Sequence, residues 1–219
     1  MKLNFMVLVD GCVAVWNNAF GEDTIDALIV PGQIVGEFEL FGFDSQNFEL
    51  HSLAESLMLK ASERVVKVLL ETDKSLFYQR LCKTLIEKLS LQNTLSKCRT
   101  GHVDKRLAKL LDNFATDTGW RYLTDLKNEH QKNFEVTLYF TRDILLGLLS
   151  TELRSLGPNL NELVKSNVLR IKLFDHTFVF LRNAQHQEFS KNRFPDSRYF
   201  RIEVVNHDSL LNIIEGVKN

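Results

Sequence analysis

The sequence predicts an α+β fold in which a small antiparallel β-module precedes a long helix and a C-terminal part of mixed helices and strands. Three patterns lead to this prediction. Short apolar runs punctuated by glycine fill residues 6–59, helical periodicity follows from residue 61 to about 97, and two short helical patterns run directly into a strand-like segment at 140–171. This order indicates an all-β part, a helical connection and a separate C-terminal layer structure.

The N-terminal part is typical of antiparallel strands, because runs of apolar residues are interrupted by turn dipeptides. The runs are FMVLVDGCVAVW, DTIDALIV, PGQIVGEFELFGF and NFELHSLAESLML. Asp10-Gly11 and Pro31-Gly32 are expected to form the turns. We therefore predict a small all-β module.

Two helical patterns follow the β-module. The first is ASERVVKVLLETD, and the second extends from about Lys74 to Lys97 with apolar residues at three- and four-residue steps or their multiples, namely Tyr78, Leu81, Leu85, Leu89 and Leu95. Further residues widen the apolar surface beyond one seam, namely Leu76, Phe77, Cys82, Ile86 and Leu91. This width favours packing on the β-module on one side and on a second chain on the other; an ordinary core helix is the alternative.

The long helix should end at Thr100-Gly101, where a new amphipathic pattern, HVDKRLAKLLDNFATDTG, begins and stops at Gly119. We expect domains at 1–72, 73–100 and 101–219. Trp120 to Asn133 is interpreted as a polar link, and strands are expected at FEVTLYF, VLRIKLFDHTFVFLR and RIEVVN. A final helix should begin near Asp208, with Asp208 or His207 as its cap.

The stretch FTRDILLGLLSTELRSLGPNLNELVKSNVLRI, residues 140–171, joins two helical patterns at a tight break and leads into a strand. A winged helix-turn-helix needs this order to place its second helix on a groove of DNA. Gly157-Pro158 would cost roughly 3–4 kcal/mol in a helix interior relative to two alanines. Two alternatives therefore remain for the second helix: it begins near Thr151, or it is shorter and begins near Pro158. Either one keeps three leucines inward, namely Leu156, Leu160 and Leu163.

Composition and motifs argue against several classes of function. The chain carries 10 Lys+Arg against 13 Asp+Glu up to residue 100 and 17 Lys+Arg against 15 Asp+Glu after it. Neither part is strongly basic, so any contact with nucleic acid must depend on a local group of basic residues. No apolar run is long enough to span a membrane and no signal-peptide pattern is present, which favours a cytoplasmic location. Phosphate-loop, nucleophile-elbow and zinc-protease motifs are missing, and the three cysteines lack metal-ligand spacing. We expect neither an enzyme nor a metal or other cofactor.

Taken in order, four stretches resemble the CRP/FNR superfamily of bacterial transcription regulators. FMVLVDGCVAVW resembles the family's strand-Gly-strand hairpin, and DALIVPGQIVGEFELFG resembles its Pro-Gly-x-hydrophobic-x-Gly-Glu segment. LLETDKSLFYQRLCKTLIEKL with VDKRLAKLLDNFA resembles the dimer helix and the helix beyond it, and residues 141–171 resemble the helix-turn-helix. The resemblance covers most of the chain. It implies an N-terminal antiparallel β-roll of the cyclic-nucleotide-binding type, a long dimerisation helix and a C-terminal winged helix-turn-helix.

The same resemblance implies a homodimer that regulates transcription on double-stranded DNA, with RNA polymerase as a further partner, and an effector pocket at Gly36, Glu37, Gln46 and Asn47. Members that bind cyclic nucleotides follow the Gly-Glu with an Arg-Ser/Thr pair that holds the phosphate. Here no arginine lies between Gly36 and His51. A buried phosphate without a cationic partner is poorly compensated, so control by cyclic nucleotide is not expected, and the effector stays unknown. Only Met1 to Phe5 precede the first matched strand, which predicts either a late start or an unusually small β-module.

For DNA recognition, the resemblance places the base-reading positions on Leu153, Arg154 and Pro158. Arginine pairs with guanine and asparagine with adenine, so Arg154 and either Asn159 or Asn161 are the expected base readers. Further DNA contacts, mostly to phosphates, are expected at Thr141, Arg142, Thr151, Ser155, Lys165, Lys191 and Arg193. The last two belong to FSKNRFPDSRYFR, whose basic and aromatic residues suit a nucleic-acid backbone; a flexible wing with its aromatics packed on the domain is the alternative. The alternative function is a protein-interaction module that retained the fold without binding DNA.

Overall fold

The computed structural model describes residues 5–17, 24–37, 48–116, 120, 123–126, 133–174, 180–183 and 199–217. These residues form eleven strands and six helices. The chain divides into two compact units, Met1–Asn93 and Thr94–Asn219. None of the helices in the described ranges combines the length and the hydropathy that a membrane crossing requires.

The first unit contains two three-stranded antiparallel sheets. One has the order β4–β1–β6 and the other the order β3–β2–β5. The strands are β1 (Phe5–Asp10), β2 (Val13–Asn17), β3 (Thr24–Ile29), β4 (Ile34–Val35), β5 (Phe48–Ser52) and β6 (Leu57–Ala61). Leu8 of the first sheet packs with Val13 and Ile29 of the second in one buried cluster. Burying these apolar faces against each other is what stabilises the pair of sheets.

The two expected turns exist, but they do not close hairpins. β1 and β2 flank Asp10-Gly11 and pair in different sheets, and the same is true of β3 and β4 around Pro31-Gly32. The hairpin pairing expected for FMVLVDGCVAVW is therefore wrong, because each turn carries the chain from one sheet to the other. Gly11 has φ +89°, and a Cβ there would lie 2.3 Å from the Glu55 carbonyl oxygen. Only glycine fits this crossing.

Two helices complete the first unit, and the second of them extends beyond it. α1 (Glu63–Thr72) is capped by Ser62, whose hydroxyl accepts a hydrogen bond from the Val65 amide at 3.4 Å. α2 (Lys74–Cys98) begins in the first unit and ends in the second. Its apolar residues divide between two sides: the buried side includes Leu81, Leu91 and Leu95, and the exposed side includes Leu76, Tyr78, Ile86 and Leu89. The single stripe from Tyr78 to Leu95 is thus wrong, because its steps of three, four, four and six residues do not return to one side of a helix of 3.6 residues per turn.

The second unit is built on a five-stranded antiparallel sheet with the order β10–β9–β11–β8–β7. Its strands are β7 (Thr124–Leu126), β8 (Phe134–Val136), β9 (Leu169–Phe174), β10 (Phe180–Asn183) and β11 (Phe200–Val204). Its helices, besides the end of α2, are α3 (Val103–Thr116), α4 (Arg142–Leu149), α5 (Leu153–Lys165) and α6 (His207–Glu215). Ile171, Ile202 and Phe134 are among the buried residues on the apolar side of the sheet. The charged residues that alternate with them on the same strands lie on the other side.

The region after α3 differs from the polar link that was expected. β7 lies within it and pairs with β8, and Trp120 is fully buried with its ring 5.2 Å from that of Phe114. A three-residue strand and one isolated tryptophan produce no periodicity, so the sequence pattern could not reveal them. FEVTLYF is also shorter than expected: the strand covers Phe134–Val136, and Phe140 makes only an isolated bridge to Phe200.

The cap of the last helix is one residue earlier than expected. α6 begins at His207, and the Asn206 side chain accepts a hydrogen bond from the Ser209 amide at 3.0 Å. Asparagine is a strong N-cap, so the expectation of Asp208 or His207 as the cap is wrong.

Candidate nucleic-acid interface and effector pocket

The two helices of the helix-turn-helix pattern meet at a tight, hydrogen-bonded turn. The Thr141 hydroxyl caps α4 by accepting from the Ile144 amide at 3.3 Å. At the other end, Ser150 adopts a left-handed conformation with φ +47°, and its amide donates to the Leu146 carbonyl. The Thr151 amide donates to the same carbonyl at 3.2 Å, so the break lies at Ser150 and α5 begins shortly after it.

Two arginines that were not predicted hold the end of α4. The Arg99 guanidinium donates to the carbonyls of Gly147 and Leu148 at 3.1 and 3.0 Å. Arg106 donates to the Leu149 and Ser150 carbonyls at 3.3 and 2.9 Å. A helix C-terminus presents unpaired carbonyls and partial negative charge, which both guanidiniums satisfy. No sequence signal could have found these residues, because each lies more than forty positions from its partners.

The second helix is the longer of the two alternatives. α5 runs from Leu153 to Lys165 with Pro158 inside it, so the shorter helix beginning near Pro158 is wrong. Proline lacks the N–H that would bond the carbonyl four residues earlier, that of Arg154. Burial outweighs this loss: Leu156, Leu160 and Leu163 are all buried, as predicted for the inward side.

Helical spacing places Arg154, Pro158, Asn161 and Lys165 on one side of α5, away from the buried leucines. The Arg154 side chain is 77% exposed and pairs with Glu152 at 2.5 Å. Pro158 and Lys165 are exposed, and Asn161 is half-buried. This side therefore brings together one expected guanine reader, one expected adenine reader and one expected phosphate contact.

The other expected DNA contacts are placed differently. Asn159 lies on the flank of α5, where its side-chain amide donates to the Ser155 carbonyl at 2.7 Å. Thr151 and Ser155 are half-buried. Arg142, at the start of α4, donates to the Asp143 carboxylate at 2.8 Å. Lys191 and Arg193 lie outside the described residues.

The five-stranded sheet of the second unit carries a charged layer that was not predicted. Lys172 bonds Glu135 and lies 3.7 Å from the Glu203 carboxylate, while Arg170 contacts Glu203 at 3.3 Å. The Arg201 guanidinium lies 4.2 Å above the centre of the Tyr139 ring. The carboxylates of Glu135 and Glu203 are buried. The cations around them therefore neutralise buried negative charge of the protein itself and are not a site for a ligand.

A cavity of about 580 Å³ lies in the first unit, between β-strands and the part of α2 that belongs to this unit. Its apolar lining consists of Met6, Val15, Ala27, Val35, Phe48, Leu50, Leu85 and Leu89, and its polar lining of Asp26, Gly36, Glu37, Lys88 and Gln92. The expected pocket residues Gly36 and Glu37 are thus part of it. Gln46 and Asn47 lie outside the described residues.

Within the cavity wall, Glu37 is buried and forms an ion pair with Lys88. The second carboxylate oxygen of Glu37, Oε2, is buried without a hydrogen-bond partner among the described residues. Lys88 was not predicted, because it is an ordinary lysine in a helical pattern until the fold brings it to a residue 51 positions earlier.

The cysteines are free thiols, and no group of three or more His, Cys, Asp or Glu in the described ranges could hold a metal ion. Burial raises the pKa of the Cys12 thiol to about 12 and that of Cys98 to about 11. Both thiols are therefore protonated and unreactive at neutral pH.

The sequence matches no family model, and no curated protein is similar to it in sequence. The structure, however, resembles solved transcription regulators over nearly its full length. The CRP-family regulator TTHB099 from Thermus thermophilus aligns with a TM-score of 0.65 at 14% identity, covering 97% of this chain and 88% of that one. The CRP/FNR-family regulator TTHA1359 from the same organism (TM-score 0.60, 17% identity) and FixK2 from Bradyrhizobium japonicum (0.59, 14%) align over the same shares. The resemblance seen in the sequence is confirmed for the architecture: this chain has the fold of the CRP/FNR transcription regulators.

Proposed function

We propose that this protein is a homodimeric, sequence-specific DNA-binding transcription regulator that acts in the cytoplasm without control by cyclic nucleotide. The observation that carries the proposal is the side of α5 formed by Arg154, Asn161 and Lys165, which is displayed on a helix-turn-helix whose turn is fixed by Arg99 and Arg106. The fold shared with known regulators supports the same conclusion.

Base reading is assigned to Arg154 and Asn161. Arg154 lies in the first turn of α5, and the N-terminal end of a recognition helix is the end that reaches base edges. Its exposed guanidinium pairs with Glu152 and can exchange this carboxylate for the O6 and N7 atoms of guanine. Lys165 and Arg142 are assigned to phosphates, together with Lys191 and Arg193. Asn159 is assigned a lesser role, because it lies on the flank of α5 and not on the side formed by Arg154, Asn161 and Lys165.

The local charge predicts a weakened affinity for DNA that nevertheless depends steeply on salt. Glu152 and Glu162 are exposed on or beside the same helix and repel phosphate. Four assigned phosphate contacts in each subunit would give a slope of log affinity against log salt of roughly −7 for a dimer.

Dimerisation is assigned to α2, in keeping with domains at 1–72, 73–100 and 101–219. Tyr78, Cys82 and Ile86 are exposed on one side of this helix, where they line a shallow apolar groove. In the dimer, α2 of the second chain would cover this groove and remove its apolar residues from water, as in a two-stranded coiled coil. Two reading helices would then meet half-sites about 34 Å apart. RNA polymerase is the further partner that such a regulator would contact.

The experiment begins with selection of a duplex from a random library by the full-length protein. Fluorescence anisotropy then measures affinity across salt concentrations for the wild type, Arg154→Ala and the matched control Arg64→Ala, which removes an exposed arginine from α1. Arg154→Ala should lose about 1–3 kcal/mol of discrimination at one base pair, and Arg64→Ala should lose none. Sedimentation equilibrium on the same samples should show a dimer. A monomer, or a protein that binds no duplex in dilute buffer, contradicts the proposal.

A further inference from the structure

We propose that the cavity of the first unit binds a small molecule with an apolar body and an ammonium group, and that Glu37 is the partner of the amine. The inference that this ligand regulates transcription rests on the proposed function, whereas its binding does not.

The size and lining of the cavity fit an apolar body. A volume of about 580 Å³ lies within the usual range of small-molecule sites. The walls are mostly aliphatic and aromatic, with Met6 and Val35 from the first sheet, Val15 and Phe48 from the second, and Leu85 from α2. Apolar area removed from water here supplies affinity without direction, so the few polar groups must set the orientation of the ligand.

The formal charge of the lining favours a cation over an anion. Two carboxylates, Asp26 and Glu37, face one ammonium, Lys88, among the described residues of the wall. Lys88 is already paired with Glu37. An anionic ligand would have to take Lys88 from that pair and leave a buried carboxylate without compensation, which is costly.

Glu37 supplies the acceptor. Its Oε1 atom bonds Lys88, and its buried Oε2 atom has no hydrogen-bond partner among the described residues. Gly36, with φ +92°, sets the backbone that places this carboxylate in the wall. A buried carboxylate oxygen without a donor is unfavourable, and an incoming N⁺–H group would satisfy it.

Asp26, on β3 of the other sheet, supports the same orientation. Its carboxylate accepts hydrogen bonds from the Asn17 side-chain amide at 2.6 Å and from the Thr24 hydroxyl at 3.4 Å. These neutral donors fix its position while its negative charge remains, which adds to the attraction for an ammonium group.

The test uses two probes with the same ring and opposite charge, phenethylamine and 3-phenylpropionate, titrated into the full-length protein by isothermal calorimetry. The amine should bind the wild type about tenfold more tightly than the carboxylate, or better. Glu37→Gln should remove this preference, and Glu55→Gln, a matched change at an exposed position, should retain it. If Glu37→Gln does not fold, Asp26→Asn should reduce the preference in its place.

The proposal is overturned if the carboxylate binds as tightly as the amine, or if neither probe binds saturably at millimolar concentrations. DNA binding by the same preparations separates this outcome from failure of the proposed function. Retained DNA binding without amine binding refutes the pocket assignment alone, and amine binding without DNA binding refutes the regulator alone.

Discussion

Pro158→Ala should stabilise the second unit, although most substitutions in a folded protein destabilise it. Proline is tolerated in the first turn of a helix. Pro158 is the sixth residue of α5 and therefore lies beyond that turn. Alanine restores the amide that bonds the Arg154 carbonyl and removes the clash of the ring with it. Because Pro158 is exposed, the change sacrifices little packing.

The magnitude follows from two opposing terms. An interior proline costs about 3 kcal/mol relative to alanine in a helix. Replacing proline gives the unfolded chain more freedom, which offsets about 0.4–1 kcal/mol of that gain. The free energy of unfolding should therefore rise by about 2 kcal/mol. For a unit of this size, the midpoint of thermal unfolding should rise by roughly 6–8 °C.

Differential scanning calorimetry and urea unfolding measure this change, with Pro31→Ala as the matched control. Pro31 precedes Gly32 in an exposed turn, where its fixed φ suits the native backbone. The same substitution there should be neutral or destabilising by up to about 1 kcal/mol. The reasoning is refuted if Pro158→Ala lowers the stability, or if both substitutions have the same effect.

Two further predictions concern buried charge and a buried thiol. Lys172→Met leaves Glu135 and Glu203 without their shared ammonium, so it should lower the free energy of unfolding of the second unit by about 3 kcal/mol, measured by urea unfolding. Lys97→Met removes a lysine from an exposed site and should change the stability little. Equal effects of the two substitutions would mean that the charged layer contributes nothing to stability. The pKa of Cys12 is raised to about 12 by burial, so above about pH 9 the unfolded thiol ionises while the folded one does not, and stability falls as the pH rises toward 12. The stability difference between the wild type and Cys12→Ala should therefore shrink by about 1.4 kcal/mol between pH 8 and pH 10, and a constant difference would contradict the buried, protonated thiol.

Local patterns in the sequence were sufficient for most of the helices. The periodicity of α2 and α3 placed them to within a few residues, and Leu156, Leu160 and Leu163 were correctly predicted to be buried, although the start of α5 stayed open. These features depend on neighbours three or four positions away, and such spacing is visible in a single chain. The order of the elements was likewise enough to indicate the fold that the structural comparisons confirm.

The sequence left the candidate sites incomplete. Gly36 and Glu37 were expected in the pocket and line it, but Lys88, which pairs with Glu37, was not expected. Arg154 was expected at the front of α5, whereas Arg99 and Arg106, which hold the preceding turn, were not. Lys88, Arg99 and Arg106 reach their partners only through contacts between distant segments, and a single chain carries no local pattern for such contacts.

The sequence alone determined where most helices and strands form, which of their residues are apolar, and where the chain turns. Only the tertiary structure decided that the turns at Gly11 and Gly32 connect different sheets, that Trp120 is core, and that α5 continues through Pro158. The physical reason is the range of the interactions. Propensity and periodicity act within a few residues, whereas sheet pairing, ion pairs and burial join residues tens of positions apart, and their summed energy overrides a local penalty such as that of a proline.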